Sequence, residues 1–308
     1  MSEAIYRKLE PAEVANVVPL WVRVFGVEER FFTSLLEGGP SYSFGAWKDD
    51  QWVASVHVLT RTIRGLDGTP MKVGGLANVS TLPDYRQQGH SGHLIELALA
   101  EMEADGTVWS ALGTGVNDHY ARSGWRTVST PYWSGTPVGS GESATELPLT
   151  DERLGEMASV HGPFTSVRPM AHVRSEATWN TALRYRLDPK KVRILGRRSG
   201  DQLVAYLVHG SEDGRLVEAA AIPGFEGELN PLFQAAAGDF RARGLARVGY
   251  GMPSESPAFD AFTAAFGDIH PGEHRGFMVR PIAGRISWAE LASILGDARG
   301  RHSELDNF

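Results

Sequence analysis

The 308-residue sequence contains no cysteine. Disulfides, thiolate metal sites and a cysteine nucleophile are therefore excluded. No apolar run approaches the ~20 residues that cross a bilayer, and the first ten residues lack the apolar core of a signal peptide. A soluble, cytoplasmic protein is expected. Cations are in deficit: 30 Lys and Arg against 37 Asp and Glu leave a formal net charge of −7. Nucleic-acid binding rests on Lys and Arg neutralising phosphates, so a primary role of that kind is not expected, nor a membrane role. The ten histidines form no HExxH-type pair, and no metal is expected. With 42% hydrophobic residues, the chain can bury a core and is long enough for about two domains.

What the chain does contain is a strand, a turn and a helix in immediate succession around residues 71–104. Val79, Ser80 and Thr81 end the strand. A short turn holds Arg86, Gln87, Gln88, Gly89, His90 and Ser91, and the helix starts after it with Gly92. The first N–H groups of a helix lack intrahelical partners, and the helix dipole favours an anion there. Glycine, with no Cβ, lets a ligand approach the backbone closely. The pattern Arg86-x-x-Gly89-x-Ser91 matches neither a Walker loop nor a dinucleotide fingerprint.

Periodicity organises the rest of the first half. Helical spacing over residues 9–25 and 28–36 is followed by strands at 42–47, 52–64 and 71–82, the loop, a helix, a strand at 107–112, a short helix and a strand near 126–128. This α/β order places the loop at the carboxyl edge of a strand, where open sheets bind ligands.

The loop resembles the pyrophosphate loop of the GCN5-related N-acetyltransferases (GNAT), with Ser91 in the last small position. The segment Tyr120-x-Arg122-x-Gly124-Trp125 resembles that family's second signature, about 30 residues on. Within the family, the run from Val79 to Gly89 and the turn between Gly65 and Pro70 resemble the Eis-type acetyltransferases, clearly over about residues 5–135.

Residues 129–149, rich in Ser, Thr, Gly and Pro, read as a linker. Beyond it the element order repeats, with strands at 192–198, 202–209 and 215–222, a helix at 228–243, a strand at 245–252, a helix at 257–266 and a strand at 276–281. The loop does not repeat: Pro223, Gly224, Phe225, Glu226, Gly227 and Glu228 are acidic and lack the Arg-x-x-Gly pattern. A second match at Arg241 to Ala246 follows a helix, so Gly244 reads as its cap. Ser287 and Glu290 form a capping box for a last helix, and the tail from Arg299 reads as polar and mobile. The expected fold is α/β: two tandem GNAT-like domains, residues 1–140 and 141–308, each a mixed, mostly antiparallel twisted sheet flanked by helices, with the second degenerate.

The resemblance implies an acetyl-CoA-dependent N-acetyltransferase that moves an acetyl group directly to a primary amine of a small or polycationic acceptor. It assigns Arg86, Gln87, Gln88, Gly89, His90, Ser91 and Gly92 to the pyrophosphate, and Val79, Ser80 and Thr81 to the pantetheine and thioester. It makes Tyr120 the acid that protonates the departing thiolate. The base stays open among Asp118, His119, Glu28, Glu29 and water. Eis-type enzymes use their own terminal carboxylate; this chain also ends in phenylalanine, Phe308. Trp21, Phe25, Phe31, Phe32, Trp47 and Trp52 line either an acceptor pocket or the core, and core is the commoner fate. A mycothiol-synthase-like tandem enzyme and a non-catalytic acyl-CoA-binding module remain alternatives. A homo-oligomer is compatible with the sequence.

Overall fold

A computed structural model describes residues 3–141, 144–300 and 303–306. Its first strand, β1 (Ile5–Lys8), is too short to stand out in the sequence and forms by pairing with β2 (Ser41–Lys48). Residues 9–25 are not one helix. Pro11 opens a 3-10 turn, Pro11–Val17, and Pro19 sits in the first turn of α1 (Val18–Phe25), where a missing N–H costs nothing. Gly26, left-handed at φ 67, ends α1, and α2 (Glu29–Glu37) follows. β2 turns into β3 (Gln51–Arg64) through Asp49 and Asp50, both left-handed at φ 50 and 57, as a two-residue hairpin requires. Then come β4 (Pro70–Thr81), α3 (His90–Ala104), β5 (Trp109–Gly113), α4 (Asn117–Ala121) and β6 (Arg126–Pro137).

The second half opens with β7 (Thr145–Glu146), α5 (Asp151–Thr165) and a bent helical run made of α6 (Glu176–Thr178), a π turn (Trp179–Leu183) and α7 (Arg184–Arg186). β8 (Val192–Ser199), β9 (Gln202–Gly210), β10 (Arg215–Ala221), α8 (Leu229–Ala242), β11 (Val248–Tyr250), α9 (Pro257–Ala265) and β12 (Phe266–Pro281) then reproduce the order from β2 to β6. The Ser287–Glu290 capping box opens α10 (Trp288–Leu295).

All twelve strands form one sheet in the order β1-β2-β3-β4-β5-β12-β6-β11-β10-β9-β8-β7. The two longest late strands cross between the halves. Phe277, Met278 and Val279 of β12 pair with Gly113, Leu112 and Ala111 of β5 on one side, and with Val128, Thr127 and Arg126 of β6 on the other. Trp133, Ser134 and Gly135 of β6 pair in turn with Tyr250, Gly249 and Val248 of β11. Each half thus lends the other a strand. The stretch read as a linker is a strand as far as Pro137, because its polar residues find backbone partners on both sides. Pairing across the centre runs through the expected division near residue 140.

One face of the first half packs α3 through Leu94, Ile95, Ala98 and Met102 against Leu76, Leu112 and Met278. Each such fully buried apolar side chain contributes about 1.5–3 kcal/mol. On the other face, Leu35, Leu59, Ala77 and Ala182 join α2, the sheet and the π turn. The tail is not free. Ser303, Leu305 and Asp306 are buried, and Arg174 spans Asp306 (2.8 Å) and Glu218 (2.6 Å). Ser303 donates to Glu218 at 2.6 Å, and Arg186 to the Leu305 carbonyl at 2.8 Å. The buried ion network holds a segment whose composition alone reads as solvent-exposed. Phe308 lies outside the described residues.

Candidate active site

The loop after β4 has the geometry of an anion cradle. Pro83–Tyr85 makes one 3-10 turn, Gln87 is left-handed at φ 62, and Gly89 caps α3 at φ 84. The first intrahelical bond runs from the His93 N–H to the Gly89 carbonyl, so the amides before it face outward. A Cβ built on Gly89 or on Gly92 would meet no atom within 4 Å, so the space above the helix start is open. No acidic side chain stands in the first turn. Arg86 is exposed and donates from Nε to the Thr81 carbonyl at 3.3 Å, which ties the turn to the strand end. Gln88 accepts from Lys48 at 3.3 Å and donates to the Asp84 carbonyl at 3.3 Å. His90 is buried and shares a 2.7 Å hydrogen bond with the Tyr6 hydroxyl.

The strand before the loop leaves its neighbour. β4 and β5 run parallel and pair only at Val73–Trp109, Gly74–Ser110 and Gly75–Ala111. Past that point β4 bulges: Ala77 faces His57 and Ser80 faces Ser55, with Asn78 left-handed at φ 47 between them. The bulge is braced from below by Trp21 Nε1 donating to Ser55 Oγ (2.7 Å), which bonds Ser80 Oγ (2.9 Å). The Ser80 hydroxyl is thereby used inside the protein, leaving backbone groups and Val79 at the gap. Two buried polar atoms near the bulge, Asn78 Nδ2 and His57 Nε2, have no hydrogen-bond partner among the described residues. Complete burial pushes His57 down to about 3, so it is neutral.

α4 brings the second motif to the same place. Tyr120 is 8% exposed, packs beside Trp125 and Leu112, and its hydroxyl makes no hydrogen bond among the described residues. Burial pushes its phenol up to about 12, so it is protonated at neutral pH and can give a proton to a developing thiolate. His119, edge-on to Tyr120 at 4.9 Å, reaches Ser91 Oγ at 3.5 Å, so the two motifs touch. Burial lowers both His119 and His90, with Arg122 and Lys48 adding to it, and neither supplies a cation to the cradle.

Other candidates scatter. Trp21 and Phe32 are core. Trp47 and Trp52 pack on each other near the sheet edge, and Phe25 is 44% exposed. Phe31 stacks edge-on against Tyr185 at 5.8 Å. Glu28 is taken by the Tyr185 hydroxyl at 2.5 Å. Glu29 and Asp118 are exposed on helix starts. In the second half, His161, Glu218 and Asp306 come within 4.8 Å of one another, but Arg174 already bridges both carboxylates.

Sequence reading missed a cavity of about 590 Å³ where β6 and β12 cross, lined by Thr114, Tyr132, Met170, Met252, His274 and Phe277 among others. None of Asp118, His119, Glu28 or Glu29 lines it. Ser129, Thr130, Pro131 and Tyr132 of its wall lie in the stretch that read as linker, and only the unexpected length of β6 could have revealed it.

Comparisons with known proteins bear on the family of the first half and on the fold. The family model for the acetyltransferase (GNAT) domain matches residues 5–128. No curated protein matches. Among solved structures, a conserved Enterococcus faecalis V583 protein described as a "Probable N-Acyltransferase" superposes with a TM-score of 0.69 at 16% identity, over 91% of this chain and 73% of that one. Eis1 from Mycobacterium abscessus gives 0.62 at 15%, over 91% and 74%. A tandem GNAT protein from the clavulanic acid biosynthesis pathway gives 0.54 at 12%, over 91% and 99%. At these identities the superpositions speak for the fold. Residues 5–128 are a GNAT acetyltransferase domain, and the chain as a whole has the mixed α/β fold of the tandem GNAT proteins.

Proposed function

We propose that the protein is an acetyl-CoA-dependent N-acetyltransferase acting on a primary amine, with one coenzyme site per chain, built by the first 140 or so residues. The observation that carries this is the open, left-handed Gly89 start of α3 set beside the parted end of β4. The amides of Gln88 through Gly92 hold the pyrophosphate, and Arg86 orders the turn while adding positive charge. The Val79, Ser80 and Thr81 backbone and the unpartnered Asn78 amide face the pantetheine arm and thioester oxygen. Acetyl-CoA supplies the thioester-bound acetyl group. Tyr120, protonated, gives its Oη proton to the sulfur as the carbon–sulfur bond breaks.

The second half is read as a non-binding copy. Carboxylates stand ahead of its corresponding helix: Glu226 accepts from the Gly224 N–H at 2.8 Å in the preceding turn, and Glu228, the cap residue, makes no side-chain cap bond and is bound by Arg197 at 2.8 Å. An anion brought there meets two negative charges. Its role is to close the sheet and build a wall of the central cavity.

Isothermal calorimetry with acetyl-CoA tests this, joined to a thiol-release assay with an amine panel. One site per chain with amine-dependent release of free coenzyme A is expected. No binding, or binding unaffected by Gly89→Glu, would overturn the assignment.

A further inference from the structure

The cavity at the β6–β12 crossing is walled by both halves: Thr114 just past β5, Thr130 and Tyr132 of β6, Met252 beyond β11 and Phe277 of β12, with Leu295 closing one side. Among the described residues no Asp, Glu, Lys or Arg lines it, in a chain that carries 37 acidic residues. The acidic residue beside it in β12, Glu273, is not a lining residue: it is exposed, paired with Arg275 at 3.1 Å, and its carboxylate accepts from Ser129 at the edge of the wall. Gly113 is part of the wall. Continuing the β4–β5 register past Gly75–Ala111 sets Gly113 level with Ala77, at the foot of the Asn78 bulge. The cavity thus shares with the gap the end of β5, the strand that parts from β4, while none of Asn78, Val79, Ser80, Thr81 or Tyr120 lines it.

We infer that this cavity takes the acceptor, and that the acceptor is a primary monoamine with an uncharged, largely apolar body, of the arylalkylamine or branched alkylamine type. This rests on the coenzyme reading above. An amine attacks only after losing its proton. A monoamine therefore enters neutral, and nothing in the wall needs to answer a charge. A polycation carries its remaining ammonium groups into a wall without a carboxylate, where an unpaired buried charge is strongly disfavoured. Met170, Met252, Phe277 and Leu295 supply adaptable apolar contact, and the Thr114, Thr130 and Tyr132 hydroxyls supply orientation. The volume of about 590 Å³ lies inside the range of small-molecule sites. In the reaction the amine nitrogen bonds to the acetyl carbon as the carbon–sulfur bond breaks. One amine proton leaves to water, the Tyr120 proton passes to sulfur, and Tyr120 is reprotonated from water.

The test uses the full chain with acetyl-CoA and two probes, 2-phenylethylamine and spermidine, each followed by thiol release. A kcat/KM ratio of about 100 or more in favour of phenylethylamine is expected. Thr114→Asp keeps the turn, because Thr114 Oγ only accepts from the Val116 N–H at 3.0 Å and a carboxylate does the same. It also adds a negative charge to the wall, and should narrow that ratio at least tenfold. A wild-type preference for spermidine, or a ratio that Thr114→Asp leaves unmoved, would overturn the inference. Calorimetry of each amine without coenzyme separates the two readings. If phenylethylamine binds, is weakened by Thr114→Asp, and acetyl-CoA does not bind, the coenzyme reading fails and the cavity assignment stands. If acetyl-CoA is turned over on spermidine alone, the cavity assignment fails and the coenzyme reading stands.

Discussion

Two strand–turn–helix corners occupy corresponding places in the two halves. β4 leads through Arg86 and Gly89 into α3, and β10 leads through Gly224 and Glu226 into α8. Both strands pair in parallel with the next strand for only two or three residues and then part, at Gly75–Ala111 and at Leu216–Tyr250. The backbone topology is therefore the same. The ends of the helices differ. α3 starts on a left-handed glycine with empty space above it, whereas α8 starts on Glu228 in a right-handed conformation with Glu226 folded back on the Gly224 N–H. The strand beside each corner differs too, since Glu218 of β10 is locked by Arg174, Tyr206 and Ser303. The corners thus differ in the backbone conformation and the charge at the helix start, and the fold alone does not make an anion site.

The largest expected effect falls on the closed half. Arg174 is 1% exposed in its side chain and neutralises two buried carboxylates, so Arg174→Met should cost about 3–5 kcal/mol in urea unfolding. A loss below about 1 kcal/mol would mean that the ion network does not hold the tail.

The open half is broken by Gly89→Glu. The new carboxylate takes the anion's place and should weaken acetyl-CoA at least 100-fold, about 2.7 kcal/mol, by calorimetry. Because no protein atom stands near, the fold should lose only the strain of a left-handed side chain, about 1–2 kcal/mol. The wild-type titration should end at one coenzyme per chain, and a stoichiometry of two would dissolve the contrast between the corners.

Tyr120→Phe should leave acetyl-CoA affinity within about threefold while lowering turnover by about 100-fold, at the low end for a general acid. Unchanged turnover would remove Tyr120 from the proton transfer.

The smallest effect is a pH slope. His57 is held near 3 in the fold against about 6.5 when unfolded, so the unfolded chain binds the extra proton between those values. Stability attributable to His57 is full above about 6.5 and falls as pH drops, by up to about 1.4 kcal/mol per pH unit. Unfolding curves of His57→Gln against wild type at pH 7.5 and 5 should show a shallower acid loss in the variant. Equal slopes would mean that His57 is not held neutral.

Legibility followed the range of the interactions. The loop, the hairpin turn at Asp49 and Asp50 and the Ser287 capping box are each decided within a few residues, and all three were readable. α5 was not, because Gly155, Gly162 and Pro163 dilute a pattern that nonetheless buries Leu154, Met157, Val160 and Phe164. β6 was readable only near 126–128, because the Ser, Thr, Gly and Pro residues beyond become a strand only through partners more than 100 positions away. Of the site, the residues named for the coenzyme lie around one corner, with Ser91 and His119 in contact. The cavity was hidden for the same reason as β6.

By itself, then, the sequence determined the open corner, since Gly89, Arg86 and the absence of acid in the first turn of α3 are local matters of backbone freedom and charge. It also determined the acidic character of the second corner. Only the tertiary structure decided that the halves exchange strands, that the tail is buried on Arg174, and that a neutral chamber stands between them. Strand pairing and cavity shape depend on which distant backbone groups satisfy one another, and no local pattern encodes that.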